Sequence, residues 1–148
     1  MNKLKIHTAL WMLLPAILIP AALTVVNCKG ASYRDGSWQG KSGVDDTGAW
    51  GEITITIEQG KVSGCKFLTR QKDGTVKAED YGKINGEISN ADYYEKAQLA
   101  VRAMERYAQQ YAQTGKLSAV DAVSGATIAY NQFIEAAEQA LKAAKNKL

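Results

Sequence analysis

The stretch Gly51-Glu-Ile-Thr-Ile-Thr-Ile-Glu-Gln-Gly-Lys-Val62 decides the fold that we predict for this chain. Isoleucine and threonine alternate in it, which is the period of a strand with one buried and one exposed face. Gln59-Gly60 is a turn signal, and the run Lys61–Thr69 supplies a partner strand. The stretch therefore predicts a β-hairpin whose isoleucine face must be covered by another part of the chain.

The segments next to the hairpin also favour extended structure and turns. Before it, Gly36-Ser-Trp-Gln-Gly-Lys41 predicts a short strand. After it, residues 71–90 are rich in Gly, Lys, Asp and Asn, which indicates turns and one short irregular strand. A small antiparallel sheet follows from these segments.

The second half of the chain changes to the helical period. Apolar residues recur at helical spacing from Ala91 to about Gln113, with Ser89 near the start and Gly115 suited to the C-terminal cap. A second amphipathic helix is predicted from about Gly125 to Lys145. Two such helices can cover one face of a small sheet, so the predicted fold class is α+β.

The N-terminus has the order of an export signal. Lys3 and Lys5 precede an uncharged apolar run from Ala9 to Val26. The cysteine that closes this run, Cys28, resembles the lipidated cysteine of a bacterial lipoprotein, although Asn27 replaces the usual small residue before it. We expect a signal peptide over 1–27, a tether over 28–36 and a folded domain over 37–148, exported and lipid-anchored to a cell membrane or outer membrane. An ordinary cleaved signal and an uncleaved anchor helix are the alternatives.

Composition limits the chemistry of the mature domain. The only histidine, His7, and both prolines precede residue 21, so a processed chain has no imidazole for Ser-His-Asp catalysis or a histidine-ligated metal. Loss of Lys3 and Lys5 lowers the net charge from +3 to +1, which leaves no basic surface for nucleic acid. Cys65, within a predicted strand, is expected to be half-buried packing. We predict neither a metal site nor a catalytic residue.

The segment Asp121-Ala-Val-Ser-Gly-Ala-Thr127 leads into the second helix and is the candidate binding site. Ser124 is a plausible N-cap, Gly125 and Ala126 leave the backbone sterically open, and the hydroxyl of Thr127 falls in the first turn. A helix N-terminus of small residues can bind phosphate. The same pattern is also typical of an ordinary helix cap that packs on a sheet.

This segment, together with Asp35-Gly-Ser-Trp-Gln-Gly40 and the hairpin, resembles the FMN-binding domain family, found in the RnfG and NqrC subunits of bacterial redox pumps and in flavinylated lipoproteins. A looser resemblance is to major membrane immunogen lipoproteins. The family resemblance implies that Thr127 is esterified to the FMN phosphate by a Mg-dependent flavin transferase with FAD as donor. It also implies that Asp121 begins the motif and that Ser124, Gly125 and Ala126 admit the phosphate. The family often has a second Thr or Ser two positions after the attachment threonine, where this chain has Ala129.

The resemblance implies an exported, membrane-tethered flavoprotein that relays electrons between redox partners, rather than a free-standing enzyme. Trp38, Trp50 and Tyr81 are candidates for the bed of the flavin ring, with ordinary core packing as the alternative for each. Two other functions stay open. One is a binding or structural lipoprotein of the same fold without covalent flavin, and the other is a reductase that passes electrons to a small acceptor.

Overall fold

The computed structural model describes residues 33–145. They form three strands, β1 (Gly36–Lys41), β2 (Trp50–Glu58) and β3 (Lys61–Arg70), in one antiparallel sheet of order β1-β2-β3. The expected signal peptide and Cys28 lie outside the described residues. No helix within residues 33–145 combines the length and the apolarity that crossing a membrane requires.

The predicted hairpin is confirmed. Ile53, Ile55 and Ile57 are at most 2% exposed and lie on the face that the helices cover. The turn has Gln59 at φ 52° and Gly60 at φ 72°, the left-handed pair that matches the twist of two hairpin strands. Alternation along β2 therefore directs every second residue from Gly51 to Ile57 towards the helices.

Two long helices follow, α1 (Ala91–Thr114) and α2 (Thr127–Ala144), with a short 3-10 helix, Leu117–Ala119, between them. Gly115 ends α1 at φ 64° with its N–H donating to the carbonyl of Tyr111, as predicted. The N-cap of α1 is Asn90 rather than Ser89, because the Asn90 side chain accepts a hydrogen bond from the N–H of Tyr93.

Both helices pack on the isoleucine face of the sheet, so the predicted α+β class is confirmed. The first helix, α1, packs mainly against β3, and α2 packs mainly against β1 and β2. The buried side of α2 is built almost entirely of alanine around one aromatic side chain, Phe133. These small residues let the helix backbone approach the sheet closely.

The segment between β3 and α1 contains isolated bridges, Arg70 with Val76 and Ile84 with Glu87, instead of the short strand that we predicted. Glycines with positive φ, Gly74, Gly82 and Gly86, turn the backbone too often for a ladder to form. The segment is held to α1 by the side-chain amide of Gln98, which donates to the carbonyls of Ala78, Glu79 and Tyr81.

Candidate functional site

A cavity of about 320 Å³ lies at the N-terminus of α2. Five separate parts of the chain form its wall: the loop before β2, the end of β3, the segment before α1, the middle of α1 and the start of α2. The lining residues are Asp45, Thr47, Thr69, Lys77, Tyr81, Ala100, Val101, Met104, Gly125, Ala126, Thr127, Ile128, Ala129 and Gln132. Apolar side chains of the lining come mainly from α1 and α2, and its polar side chains come from α2 and from the other three segments.

The start of α2 differs from the predicted helix cap. Ser124 and Gly125 form a turn in which the N–H of Ala126 donates to the carbonyl of Val123, and Gly125 has φ 85°. A Cβ on Gly125 would lie 3.0 Å from Cδ2 of Leu99, so a side chain here would also require Leu99 to shift. The predicted N-cap, Ser124, is wrong, because the turn delays the helix and makes Ala126 the N-cap residue.

Ala126 has no side chain that can accept a hydrogen bond, so α2 begins without a side-chain cap. The first intrahelical bond runs from the N–H of Tyr130 to the carbonyl of Ala126. The three preceding N–H groups, of Thr127, Ile128 and Ala129, thus belong to the unpaired first turn beside the cavity. The positive end of the helix dipole also lies there. Thr127 is exposed and lines the cavity at this point.

A carboxylate, that of Asp45, is fixed in the cavity wall. One oxygen of Asp45 accepts from the N–H and the hydroxyl of Thr47 and from the N–H of Ala49, at 2.9, 2.6 and 2.9 Å. Desolvation alone would raise the pKa of Asp45, but these hydrogen bonds and the charge of Lys77 together hold the pKa below its ordinary value. Asp45 is therefore ionised at neutral pH, and its carboxylate is held in place by hydrogen bonds from its own loop.

Gln132 connects that loop to α2 and leaves one acceptor unused. Its amide nitrogen donates to the second oxygen of Asp45 at 3.3 Å and to the carbonyl of Ala49 at 3.1 Å. Because both neighbours are acceptors, the orientation of the amide is determined, and the oxygen must point elsewhere. Gln132 is 5% exposed, and its Oε1 has no partner among residues 33–145. An orphaned buried acceptor in a cavity wall is costly unless a ligand or water supplies a donor.

Lys77 and Tyr81 form the remaining polar part of the wall. The ammonium of Lys77 lies 5.0 Å from the centroid of the Tyr81 ring. The N–H of Lys77 donates to the carbonyl of Thr69, which joins this segment to the end of β3. A second, more open cavity of about 630 Å³ shares Thr47, Lys77 and Tyr81 with the first. The Lys77–Tyr81 pair thus stands between the two cavities.

The structure brings only some of the predicted residues to this cavity. Gly125, Ala126, Thr127 and Tyr81 line it. Asp121 and Ser124 are exposed in the loop that leads to α2 and are not part of the lining.

The two predicted tryptophans lie elsewhere. Trp50 is on the sheet face away from the helices, because it precedes the buried Gly51 in β2. Its indole N–H donates to the carboxylate of Glu52, and the ammonium of Lys41 lies 4.2 Å from its ring centroid. Trp38, paired with Ile55, packs against the core and donates to the carbonyl of Arg34. Of the three aromatic candidates, Tyr81 is therefore the one that can form a wall of this cavity.

Sequence reasoning missed Asp45, Thr47, Lys77 and Gln132. Gln132 had a detectable signal, since it is a polar residue on the apolar side of α2, between Ala129 and Phe133. Asp45 and Thr47 had the weaker signal of an Asp-x-Thr-Gly turn. Lys77 had none, because its place depends on how an irregular segment returns to the sheet.

Comparisons with known proteins agree with the fold. A family model described as FMN-binding domain matches residues 48–142, which is more than half of the chain. The search of curated proteins found no significant match. Among solved structures, the chain is similar to the CPE2226 protein from Clostridium perfringens, with 20% identity and a TM-score of 0.59. That match covers 76% of this chain and 88% of the other, and at this identity it shows a shared fold alone.

Proposed function

The chain belongs to the FMN-binding domain family, and we propose that it carries FMN on Thr127 through a phosphoester bond and relays electrons between redox partners. Flavin binding follows from the family. The covalent link and the carrier role are supported by the arrangement of the start of α2 and the cavity beside it.

The observation that carries the proposal is the exposed Thr127 at a helix start without a side-chain cap. The unpaired N–H groups of the first turn and the positive end of the helix dipole favour a phosphate at this position. The left-handed Gly125 keeps side-chain atoms away from the approach. A phosphate esterified to Thr127 would therefore supply the acceptors that the first turn lacks.

The cavity wall fits the rest of the cofactor. Ala100, Val101 and Met104 give an apolar surface, and Tyr81 gives an aromatic one. The orphaned Oε1 of Gln132 needs a donor, and flavins carry an N–H on the ring and hydroxyls on the ribityl chain. The residues present thus match a ligand that is aromatic at one end and phosphorylated at the other.

Bound FMN would supply the electron transfer, while the chain supplies attachment and environment. Attachment from FAD forms a bond between Oγ of Thr127 and the phosphorus of FMN and breaks the pyrophosphate bond, so that AMP leaves. The hydroxyl proton passes to a base of the transferase. No imidazole of this domain is needed, which agrees with a mature chain without histidine.

Co-expression with a Mg-dependent flavin transferase tests the link. Wild-type protein should give a band with flavin fluorescence after denaturing electrophoresis. Thr127→Ala should abolish the fluorescence because the acceptor oxygen is gone, whereas Thr127→Ser should keep it. Mass spectrometry should place one FMN on the tryptic peptide 117–142.

Ser118→Ala is the matched control, because Ser118 is an exposed residue with a hydroxyl in the same tryptic peptide that lies outside the Asp121–Thr127 segment and does not line the cavity. It should keep the fluorescence. A colourless wild type in the presence of transferase, Mg²⁺ and FAD would refute the covalent link and favour the role of a lipoprotein without flavin. Label retained in Thr127→Ala would assign the link to another residue.

We propose further that the domain is exported and anchored through lipid on Cys28, on the strength of the apolar run that ends there. Cells given radiolabelled palmitate should label wild-type protein, and Cys28→Ser should lose both the label and membrane retention. Cys65→Ser is the control and should keep both. Membrane retention of Cys28→Ser with an unprocessed N-terminus would instead indicate an uncleaved anchor helix.

A further inference from the structure

We infer that Lys77, positioned on the ring of Tyr81, is the residue that raises the midpoint potential of the flavin in this domain. The inference rests on the proposed function, since it requires FMN in the cavity beside Thr127. It adds a role for a residue that the motif around Thr127 does not include.

The first step is the charge of the cavity wall. Among its lining residues Lys77 is the one cation and Asp45 the one anion. The carboxylate of Asp45 accepts hydrogen bonds from Thr47, Ala49 and Gln132, which fix its position in the wall. Within residues 33–145, Lys77 has no salt bridge. Lys77 is therefore the one lining side chain whose replacement by a neutral residue removes a positive charge from the wall.

The second step is the position of that charge. The phosphate end of the cofactor is fixed by its link to Thr127, so its ring must occupy another part of the cavity. The one aromatic lining residue is Tyr81, and the Lys77 ammonium lies 5.0 Å from the Tyr81 ring centroid. A flavin ring that uses Tyr81 as its aromatic wall thus lies beside the cation.

The third step is the rigidity of the pair. The backbone of Lys77 is bonded to Thr69 on β3, and Gln98 on α1 bonds the carbonyls of Ala78 and Tyr81. The stem of Lys77 is half-buried, and cation–π attraction favours the conformer over Tyr81. The charge is therefore held at the cavity by both backbone and side-chain contacts.

The consequence follows from electrostatics. The flavin ring gains electron density on reduction, so a nearby cation stabilises the reduced form more than the oxidised form. Loss of the cation should lower the midpoint potential. We expect at least about a tenfold change in the equilibrium constant for reduction, which is about 30 mV for a two-electron couple.

The test is a spectroscopic redox titration of flavinylated protein. Lys77→Met should shift the midpoint potential to more negative values, and Lys77→Arg, which keeps the charge, should not. Lys61→Met is the matched control, because it makes the same change of net charge in an exposed residue at the hairpin turn and should leave the potential unchanged. Flavin fluorescence in denaturing gels reports loading for each variant.

Three results would overturn the inference: equal potentials for Lys77→Met and Lys61→Met, an equal shift in Lys77→Arg and Lys77→Met, or failure of Lys77→Met to be loaded. The last result would assign the ammonium to phosphate binding instead. An unloaded wild type, by contrast, would refute the proposed function itself, so the two failures are distinguishable.

Discussion

Cys65 shows how burial alone determines the chemistry of a residue. It lies on β3 opposite Ile55, packs against the core and is half-buried, which confirms its predicted packing role. Desolvation raises the pKa of the thiol from 9.0 to about 12, because burial disfavours the thiolate. The thiolate is the nucleophile in alkylation and disulfide exchange, so native Cys65 is a poor reactant at neutral pH.

We therefore expect native Cys65 to resist alkylation. In a Cys28→Ser background Cys65 is the only thiol, and iodoacetamide at pH 8 should modify it at least about a hundredfold more slowly in native than in denatured protein.

Between pH 9 and pH 12 the unfolded chain releases the Cys65 proton while the folded chain keeps it, so the Cys65 contribution should lower stability as pH rises. Comparing urea unfolding of this protein with its Cys65→Ala derivative at pH 8 and pH 10 measures that contribution. Equal alkylation rates in native and denatured protein would contradict the expected resistance of Cys65 to alkylation.

At the scale of the elements, periodicity was sufficient where the structure is local. The alternation of β2 and the helical spacing of α1 are properties of consecutive residues, and both elements lie where we predicted them. The start of α2 was displaced by two residues because the Ser124–Gly125 turn depends on a backbone conformation that spacing does not show. Trp50, a predicted ring contact, does not line the cavity, because strand alternation, applied from Ile53 backwards, puts it on the outer face.

The contact between β1 and α2 is close and depends on one glycine. A Cβ on Gly40 would lie 1.9 Å from the carbonyl oxygen of Ala136 and 2.8 Å from the nitrogen of Ala140. These are backbone atoms of α2, so relief requires the helix to move away from the sheet. The alanines of α2 and the glycine of β1 therefore act together.

Gly40→Ala should lower the free energy of unfolding by about 3 kcal/mol or more, since overpacking against backbone cannot be relieved by rotamer changes. Gly64→Ala is the matched control in the same sheet: its Cβ would meet Thr56 at 3.5 Å, an ordinary contact. Urea unfolding of the two variants should differ by at least about 2 kcal/mol. Equal midpoints would show that α2 can retreat from β1 without cost.

At the scale of the whole molecule, the sequence predicts residues that belong to a local motif but not those that reach the cavity from distant segments. Thr127 was found from its own motif and Tyr81 as an aromatic in a loop, but Asp45, Lys77 and Gln132 reach the cavity from segments far apart in the chain. No local pattern encodes such a meeting, because it depends on the docking of two helices and an irregular segment on one sheet. The motif therefore indicates the proposed attachment residue, and tertiary structure brings the other residues of the cavity wall to it.

The same holds for the N-terminal boundary of the folded part. Tyr33 and Arg34 belong to the predicted tether, yet Tyr33 packs against the core and bridges to Lys145, and Arg34 bonds the carbonyls of Ala143 and Ala144. Asp35 accepts from the N–H groups of Gln59 and Gly60 in the hairpin turn. These three residues join the end of α2 to the hairpin.

A chain that begins at Ser37, where we predicted the domain to start, should therefore be less stable than one that begins at Cys28. It loses the hydrogen bonds of Arg34 and Asp35 and the packing of Tyr33. Each exposed hydrogen bond contributes about 1 kcal/mol or less to stability. We expect a loss of about 1–3 kcal/mol in urea unfolding. A chain that begins at Tyr33 is the control and should match the longer one, because it keeps every one of these contacts. If the chains from Ser37 and Cys28 unfold at the same urea concentration, residues 33–35 act only as a tether, and the domain boundary predicted from the sequence is right.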